Sequence, residues 1–127
     1  MREIKTHAAN ALNDVLCVKA VDDPGQGGAC HYYEIHADES KVTLKEGQTI
    51  SCSILFQNGP IKEFSINGIS NESLLAVVRD RLECFQRGPF ACDTNQVALD
   101  GVIAAMESLH SRTRDRVQRG VEGENKA

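Results

Sequence analysis

Four arginines lie close together near the end of the chain and could bind an anion. They are Arg112, Arg114, Arg116 and Arg119, and the chain around them is acidic overall, with a formal net charge of -4. A guanidinium group can bind a phosphate through two parallel hydrogen bonds. On a helix, Arg112, Arg116 and Arg119 would share one stripe, whereas Arg114 would point elsewhere. The stripe predicts a phosphate-binding surface; the alternative is that these side chains only complement a helix dipole and stay solvated.

A second group of candidate residues precedes the arginines and consists of Phe85, Phe90 and Asn95. Aromatic rings stack on nucleobases, and a side-chain amide can hydrogen-bond to the edge of a base. We expect the tight turn at Gly88-Pro89 to direct this group toward the arginines. The alternatives are that Phe85 packs in a core and that Phe90 covers the end of a helical hairpin. Together, the aromatic and the basic residues predict a nucleotide-like anion as the ligand.

The remaining polar residues show no clear catalytic or metal-binding pattern. The four histidines are scattered, no P-loop or His-Glu-x-x-His motif occurs, and the spacing of the five cysteines matches no zinc motif. Cys30 with His31 is the one candidate for a nucleophile and base, but neighbours on a strand point to opposite faces. We expect reduced cysteines that pack as small apolar residues.

The size and charge of the chain restrict its partners. The 127 residues, 41% of them hydrophobic, provide for one domain with one modest core. Long nucleic acid is a poor partner for an acidic chain, because binding it requires a broad basic face. No apolar run reaches the length of a membrane span, and no secretory signal pattern is present. We therefore predict no membrane partner.

The first half of the chain predicts an antiparallel sheet of four or five strands. A strong turn signal, rich in glycine, lies at 22–28, between the first two predicted strands. Ile61, Phe64 and Ile66 cannot share one face of a strand, which predicts a local irregularity. Residues 1–12 show no clear element. The predicted strands cover residues 14–21, 29–37, 41–44, 48–56 and 61–66.

The second half predicts two helices. Ser70 or Asn71 can cap the first, which ends at Gly88-Pro89, and the second runs from Asp93 or Thr94 to Gly120. About five residues join the helices, so they should form an antiparallel hairpin. The apolar positions with helical spacing are Leu74, Leu75, Val78, Leu82 and Phe85 in the first helix, and Leu99, Ile103, Met106 and Leu109 in the second.

The predicted fold class is therefore α+β: an N-terminal antiparallel β-sheet followed by a C-terminal antiparallel two-helix hairpin. We expect a single domain over 1–127, in which 1–68 form the sheet part, 69–120 the hairpin and 121–127 a tail. A two-helix hairpin must cover its apolar face by packing on the sheet, on another protomer or on both. This requirement predicts a homo-oligomer built from dimer units.

The order of these segments resembles the Thoeris anti-defence sponges of bacteriophages, whose helical hairpin is shared with the anti-CBASS cyclic-nucleotide sponges. The resemblance covers residues 54–123, and residues 1–50 are similar only in being rich in strands. It is carried by these groups: Phe56-Gln57-Asn58-Gly59-Pro60-Ile61-Lys62-Glu63, Asn67-Gly68-Ile69, Asp80-Arg81-Leu82-Glu83, Phe85-Gln86-x-Gly88-Pro89-Phe90-Ala91-Cys92-x-x-Asn95, Arg112-Thr113-x-x-Arg116 and Arg119-Gly120-Val121-Glu122-Gly123.

The resemblance implies a protein that binds a signal and does not catalyse a reaction. Such proteins hold cyclic ADP-ribose isomers, the alarm signal of a bacterial TIR-domain enzyme, between two protomers in the host bacterial cytoplasm. They need no cofactor. Some relatives are hexamers with separate pockets for cyclic di- or trinucleotides, so we expect a dimer-based hexamer and keep such second ligands open.

The resemblance also implies a role for each candidate residue. Phe85 would stack on a ring and Asn95 would hydrogen-bond to the ligand. Arg112 and Arg116 would bind the diphosphate. Thr113 would add a hydroxyl contact, and Phe90 is a secondary candidate.

Two other functions stay open on the sequence. The first is an enzyme that hydrolyses a nucleotide signal with a thiol or a metal-bound water. The second is a small structural or adaptor module whose arginines only solvate a helix end and which has no nucleotide ligand.

Overall fold

A computed structural model describes residues 1–120, which divide into two compact units. The first unit contains Met1–Gly59 and Ile66–Gly68, and the second contains Pro60–Ser65 and the described residues from Ile69 to Gly120. The predicted tail, 121–127, lies outside the described residues. That both units belong to a single domain stays a prediction.

The first unit is a four-stranded antiparallel sheet in which the strands follow the order of the chain. A short helix, α1 (Leu12–Val15), leads directly into the second strand. The buried apolar side chains of this unit are small, namely Ala20, Cys30 and Ala37, and His31 is its buried polar residue. The strands are β1 (Arg2–Ile4), β2 (Leu16–Ala20), β3 (Tyr32–Ala37) and β4 (Ser51–Leu55).

Two of the predicted strands are wrong. Residues 41–44 form no strand, because the N–H groups of Lys41 and Val42 turn back to the Asp38 carbonyl, at 2.9 and 3.2 Å. The run 61–66 begins instead as one helical turn, α2 (Ile61–Phe64), closed by a 3.0 Å bond from the Ser65 N–H to the Ile61 carbonyl. The predicted irregularity of this run therefore arises from a helical spacing of its apolar residues.

The N-terminal strand β1 has no counterpart among the predictions. Its three residues pair with β2 at the edge of the sheet. A strand this short contains too few residues for a period of two to be recognised in the sequence. The predicted strand over 14–21 likewise becomes the end of α1 followed by β2.

Asp22 fixes the turn between β2 and β3. Its carboxylate accepts hydrogen bonds from the backbone N–H groups of His31, at 3.0 and 3.1 Å, and Tyr32, at 3.1 Å. The bond from the His31 N–H is the main cause that lowers the pKa of Asp22; burial opposes it, and the bond from Tyr32 adds to it. Because both N–H groups favour the charged carboxylate, this turn is held by an ionised Asp22.

We expect Asp22→Asn to lower the thermal stability at neutral pH. We also expect the Tm of this variant to fall less on acidification than that of the wild type. The pKa of Asp22 in the folded protein lies below its ordinary value of 3.8, so its stabilising contribution is fully present above that value and is lost as the pH falls through the lowered pKa. Thermal unfolding of both proteins at neutral pH and below about pH 3 measures this. Asp23→Asn, at the exposed neighbour, is the control. An identical loss of Tm on acidification in wild type and Asp22→Asn would contradict the prediction.

Side-chain amides tie the segment Ile66–Gly68 to the chain that follows β4. Asn67 donates from Nδ2 to the Asn58 carbonyl and accepts at Oδ1 from the Asn58 N–H, both at 2.8 Å. The Asn67 N–H donates to Gln57 Oε1 at 2.9 Å. A Cβ atom placed on Gly68 would lie 2.6 Å from the Gln57 nitrogen, so only glycine allows this close approach.

Gly68→Ala is therefore expected to destabilise the protein by about 1–3 kcal/mol, because the new methyl group would force the two backbone segments apart. Thermal or urea unfolding measures the loss. Gly101→Ala, within the helix α4 (Asp93–Gln118), is the matched control, since its Cβ would meet no atom of the described chain within 4 Å. That control should stabilise by roughly 0.5–1 kcal/mol through helix propensity. Equal unfolding free energies for Gly68→Ala and wild type would refute the close-approach argument.

The second unit confirms the predicted helical hairpin. Helix α3 (Asn71–Gln86) begins after Ser70, whose Oγ accepts from the Ser73 N–H at 3.0 Å while Ser73 Oγ accepts from the Ser70 N–H at 3.2 Å. Helix α4 begins after Cys92, and its end at Gln118 is followed by Gly120 in the left-handed region, with φ 71°. Of the two capping residues that the sequence allowed, Ser70 and Asn71, the structure has Ser70 as the N-cap.

The packing of the hairpin leaves much apolar surface uncovered. On α4 the predicted apolar face is confirmed, with Leu99 and Met106 buried and Ile103 and Leu109 half-buried. No side chain of α3 is buried. Leu74, Val78 and Phe85, which share one stripe of α3, are exposed by 36 to 43%.

Candidate functional site

The residues Phe85, Phe90 and Asn95 gather at the turn of the hairpin and are called here the aromatic half-site. Phe85 lies in the last turn of α3, Phe90 in the connection and Asn95 in the first turn of α4. The two rings are accessible, with exposed fractions of 39% and 73%. Asn95 Nδ2 donates to the Phe90 carbonyl at 3.3 Å, which leaves its Oδ1 as an acceptor for the amino group of a base.

Gln86 holds the connection that carries Phe90. Its Oε1 accepts from the Cys92 N–H at 3.0 Å, and its Nε2 donates to the Cys92 carbonyl at 3.1 Å and to Gln96 Oε1 at 3.2 Å. The Cys92 Sγ in turn accepts from the Asn95 N–H at 3.4 Å. Gln86 therefore fixes both ends of the loop, a role that the sequence analysis did not assign. An amide two residues before the Gly88-Pro89 turn was the signal available for it.

A second feature missed by the sequence analysis is the cation beside Phe85. The guanidinium carbon of Arg81 lies 5.5 Å from the centre of the Phe85 ring, within the range of a cation–π contact. The spacing of these residues by one helical turn was the available signal.

Arg112, Thr113 and Arg116 lie near the other end of α4 and are called here the arginine half-site. Arg112 is exposed, whereas Arg116 is buried with 7% exposure. The burial of Arg116 does not fit the alternative in which all these arginines stay solvated. Thr113 Oγ1 donates to the Leu109 carbonyl at 3.2 Å, so its hydroxyl can accept from a ligand but cannot also donate to a phosphate.

Of the other two arginines of the cluster, Arg119 differs from Arg112 in forming an ion pair. Arg119 pairs with Asp115, at 3.0 Å between Nε and Oδ2, and this carboxylate neutralises its charge. Arg114 is exposed, as Arg112 is. Arg112 is thus the accessible member of the predicted phosphate-binding pair.

One chain does not bring the two half-sites together. Asn95 and Arg112 lie on the same unbroken helix, α4, and at about 1.5 Å rise per residue they are separated by about 26 Å along its axis. The expectation that the turn directs the aromatic group toward the arginines is therefore wrong within one protomer. The reason is the length of α4, which has 26 residues.

The candidate catalytic pair of the sequence analysis is not formed. Cys30 and His31 are both buried, and the Cys30 thiol donates to the Asp22 carbonyl at 3.3 Å. Within residues 1–120, no group of three or more histidine, cysteine or acidic residues could hold a metal ion. In the same part of the chain, every helix is too short or too polar to cross a membrane.

Comparison with known proteins gives the family. No protein-family model matches the chain. Over 92 residues it is 39% identical to a protein of Bacillus phage SBSphiJ7 named Thoeris anti-defense 1. The chain belongs to the Thoeris anti-defence family. The matched segment covers 72% of the chain but 65% of the relative, so the chain spans less than two thirds of the length of that Thoeris anti-defence protein.

The resemblance inferred from the sequence is thereby confirmed at the level of the family. The α+β order of a sheet followed by a hairpin is confirmed as well. Which of the six candidate residues of this family member contact a ligand stays a prediction.

Proposed function

We propose that the protein is a viral anti-defence protein that binds and sequesters cyclic ADP-ribose isomers. The signal would be made by a bacterial TIR-domain immune enzyme, and the protein would act in the host bacterial cytoplasm without degrading it. The observation that carries the proposal is the pair of half-sites on a chain of this family. One half-site offers rings and an amide for a base, and the other offers guanidinium groups for a diphosphate.

The separation of the half-sites supports a ligand held between two protomers. A cyclic ADP-ribose is a single small ring made of a base, two riboses and a diphosphate, and it cannot span about 26 Å of helix. Two hairpins that pack antiparallel would place the aromatic half-site of one protomer beside the arginine half-site of its partner. A twofold axis would then create two equivalent sites.

The uncovered apolar surface of the hairpin supports the same assembly. Val97 on α4 is 72% exposed, and the stripe of Leu74, Val78 and Phe85 on α3 is accessible. Such surface marks an interface in a protein of this size. Dimer units, assembled further into a hexamer, are part of the proposal. Light scattering at micromolar concentration would show them, and a monomer of about 14 kDa would contradict them.

Cyclic di- and trinucleotides are proposed as additional ligands in separate pockets. Competition titrations distinguish this arrangement from a shared site. A cyclic trinucleotide that binds without displacing a cyclic ADP-ribose isomer supports separate pockets, and mutual displacement contradicts them.

Recovery of the ligand tests sequestration against hydrolysis. The protein is incubated with a cyclic ADP-ribose isomer, denatured by heat, and the supernatant is analysed by chromatography. We expect the intact ligand at the original amount, because the buried Cys30–His31 pair is not arranged for proton transfer. A hydrolysed product that accumulates with time would establish an enzyme. Calorimetry that detects no binding of any cyclic nucleotide would favour the adaptor module.

A further inference from the structure

The aromatic half-site carries a positive charge of its own. Arg81 is exposed one turn before Phe85, and its guanidinium carbon lies 5.5 Å from the centre of that ring. Among the described residues, Arg81 forms no ion pair with a carboxylate, whereas Arg79 on the same helix pairs with Glu83 at 3.5 Å. Arg87, nearer the turn, donates instead to the Cys84 sulfur at 3.3 Å. Arg81 therefore retains an uncompensated charge and unused hydrogen-bond donors beside the ring.

The chemistry of a cyclic ligand brings a phosphate close to this charge. In cyclic ADP-ribose isomers, two riboses link the base to the diphosphate inside one closed ring, so no phosphate oxygen can move far from the base. A base that stacks on Phe85 therefore places the diphosphate within reach of a flexible guanidinium on the neighbouring turn.

The charge of the diphosphate calls for cations from more than one place. The diphosphate carries two negative charges. Of the two arginines in the arginine half-site, Arg112 is exposed, whereas Arg116 is only 7% exposed. We propose that Arg81 is a further ligand-binding residue, which contacts the diphosphate from the protomer that supplies Phe85. The inference rests on the proposed function. The diphosphate would then contact Arg81 of one protomer and Arg112 of the other.

Calorimetric titration of the full chain with a cyclic ADP-ribose isomer tests this inference. Arg81→Met keeps the length of the side chain and removes its charge, and it should weaken binding about tenfold, as expected for loss of a charged hydrogen bond. It should also reduce the salt dependence of the affinity, since one charge fewer meets the ligand. Arg81→Lys should bind within about threefold of wild type, because the ammonium retains a charge and donors. Arg79→Met, at the paired arginine of the same helix, is the matched control and should bind as wild type does.

The outcomes separate this inference from the function on which it rests. Wild-type affinity for Arg81→Met, or equal losses for Arg81→Met and Arg79→Met, would overturn the role of Arg81 and leave sequestration standing. If Arg81→Lys loses as much affinity as Arg81→Met, the positive charge is not what binds the ligand, and the inference also fails. Absence of binding by the unmodified protein would overturn both. Thermal unfolding of each variant identifies losses that arise from misfolding, and the Arg81→Lys result then decides.

Discussion

Arg112→Ala is expected to weaken binding of a cyclic ADP-ribose isomer by about ten- to a hundredfold, because a charged hydrogen bond to phosphate contributes roughly 1.5–3 kcal/mol. Arg114→Ala should change the affinity by less than about threefold, since its side chain lies off the stripe and acts only through the general field. Both arginines are exposed and lie two positions apart on α4, so they form a matched pair. Isothermal titration at one salt concentration measures both affinities.

Thermal unfolding completes this comparison. Neither substitution should lower Tm appreciably, because exposed charges on a helix contribute little to stability. Arg116→Ala differs, since Arg116 is buried, and it should reduce both affinity and Tm. Similar losses of affinity at Arg112 and Arg114 would mean diffuse electrostatic attraction and would rule out a defined phosphate site.

Mixing two variants that bind weakly is expected to restore sites of wild-type affinity. Phe85→Ala removes the ring of the aromatic half-site, and Arg112→Ala removes the accessible cation of the arginine half-site. If each site combines one half-site from each of two protomers, a mixed dimer contains one intact site and one doubly defective site. Random assembly of equal amounts should then restore wild-type affinity in about a quarter of all sites. Refolding the two variants together and titrating the product measures this fraction.

The control for this experiment is the double variant Phe85→Ala/Arg112→Ala mixed with wild type. Equal amounts again pair at random. About half of the sites carry wild-type residues at both positions if each site comes from one chain, and about a quarter do so if each site combines two chains. The absence of high-affinity sites in the mixture of single variants would show that each chain forms its own site. That result would contradict the proposed arrangement, since the separation of the half-sites along α4 would have to be bridged in another way.

The predictions from the sequence were most accurate where a periodic pattern was long. The helical spacing of Leu99 and Met106 identified the buried face of α4, and the Ser70 region identified the start of α3. Short elements failed. The spacing of Ile61 and Phe64 fits one helical turn, yet it occurs in a run whose composition suggests a strand. Two or three apolar residues cannot distinguish the two periods, and hydrogen bonds made elsewhere then decide between them.

For the candidate site, the sequence by itself determined the chemistry of the groups: rings and an amide in one segment, guanidinium groups in another, and membership of a family. Only the tertiary structure decided how these groups are distributed. Arg112 is exposed and Arg116 is buried, although both lie on one helical stripe, because the exposure of a side chain depends on what packs against it. The uninterrupted length of α4 separates the two half-sites by about 26 Å, so the residues that look like one cluster in the sequence form two separate surfaces. Distance along a helix grows with every residue, so segments that are neighbours in a motif can lie at opposite ends of the element that carries them.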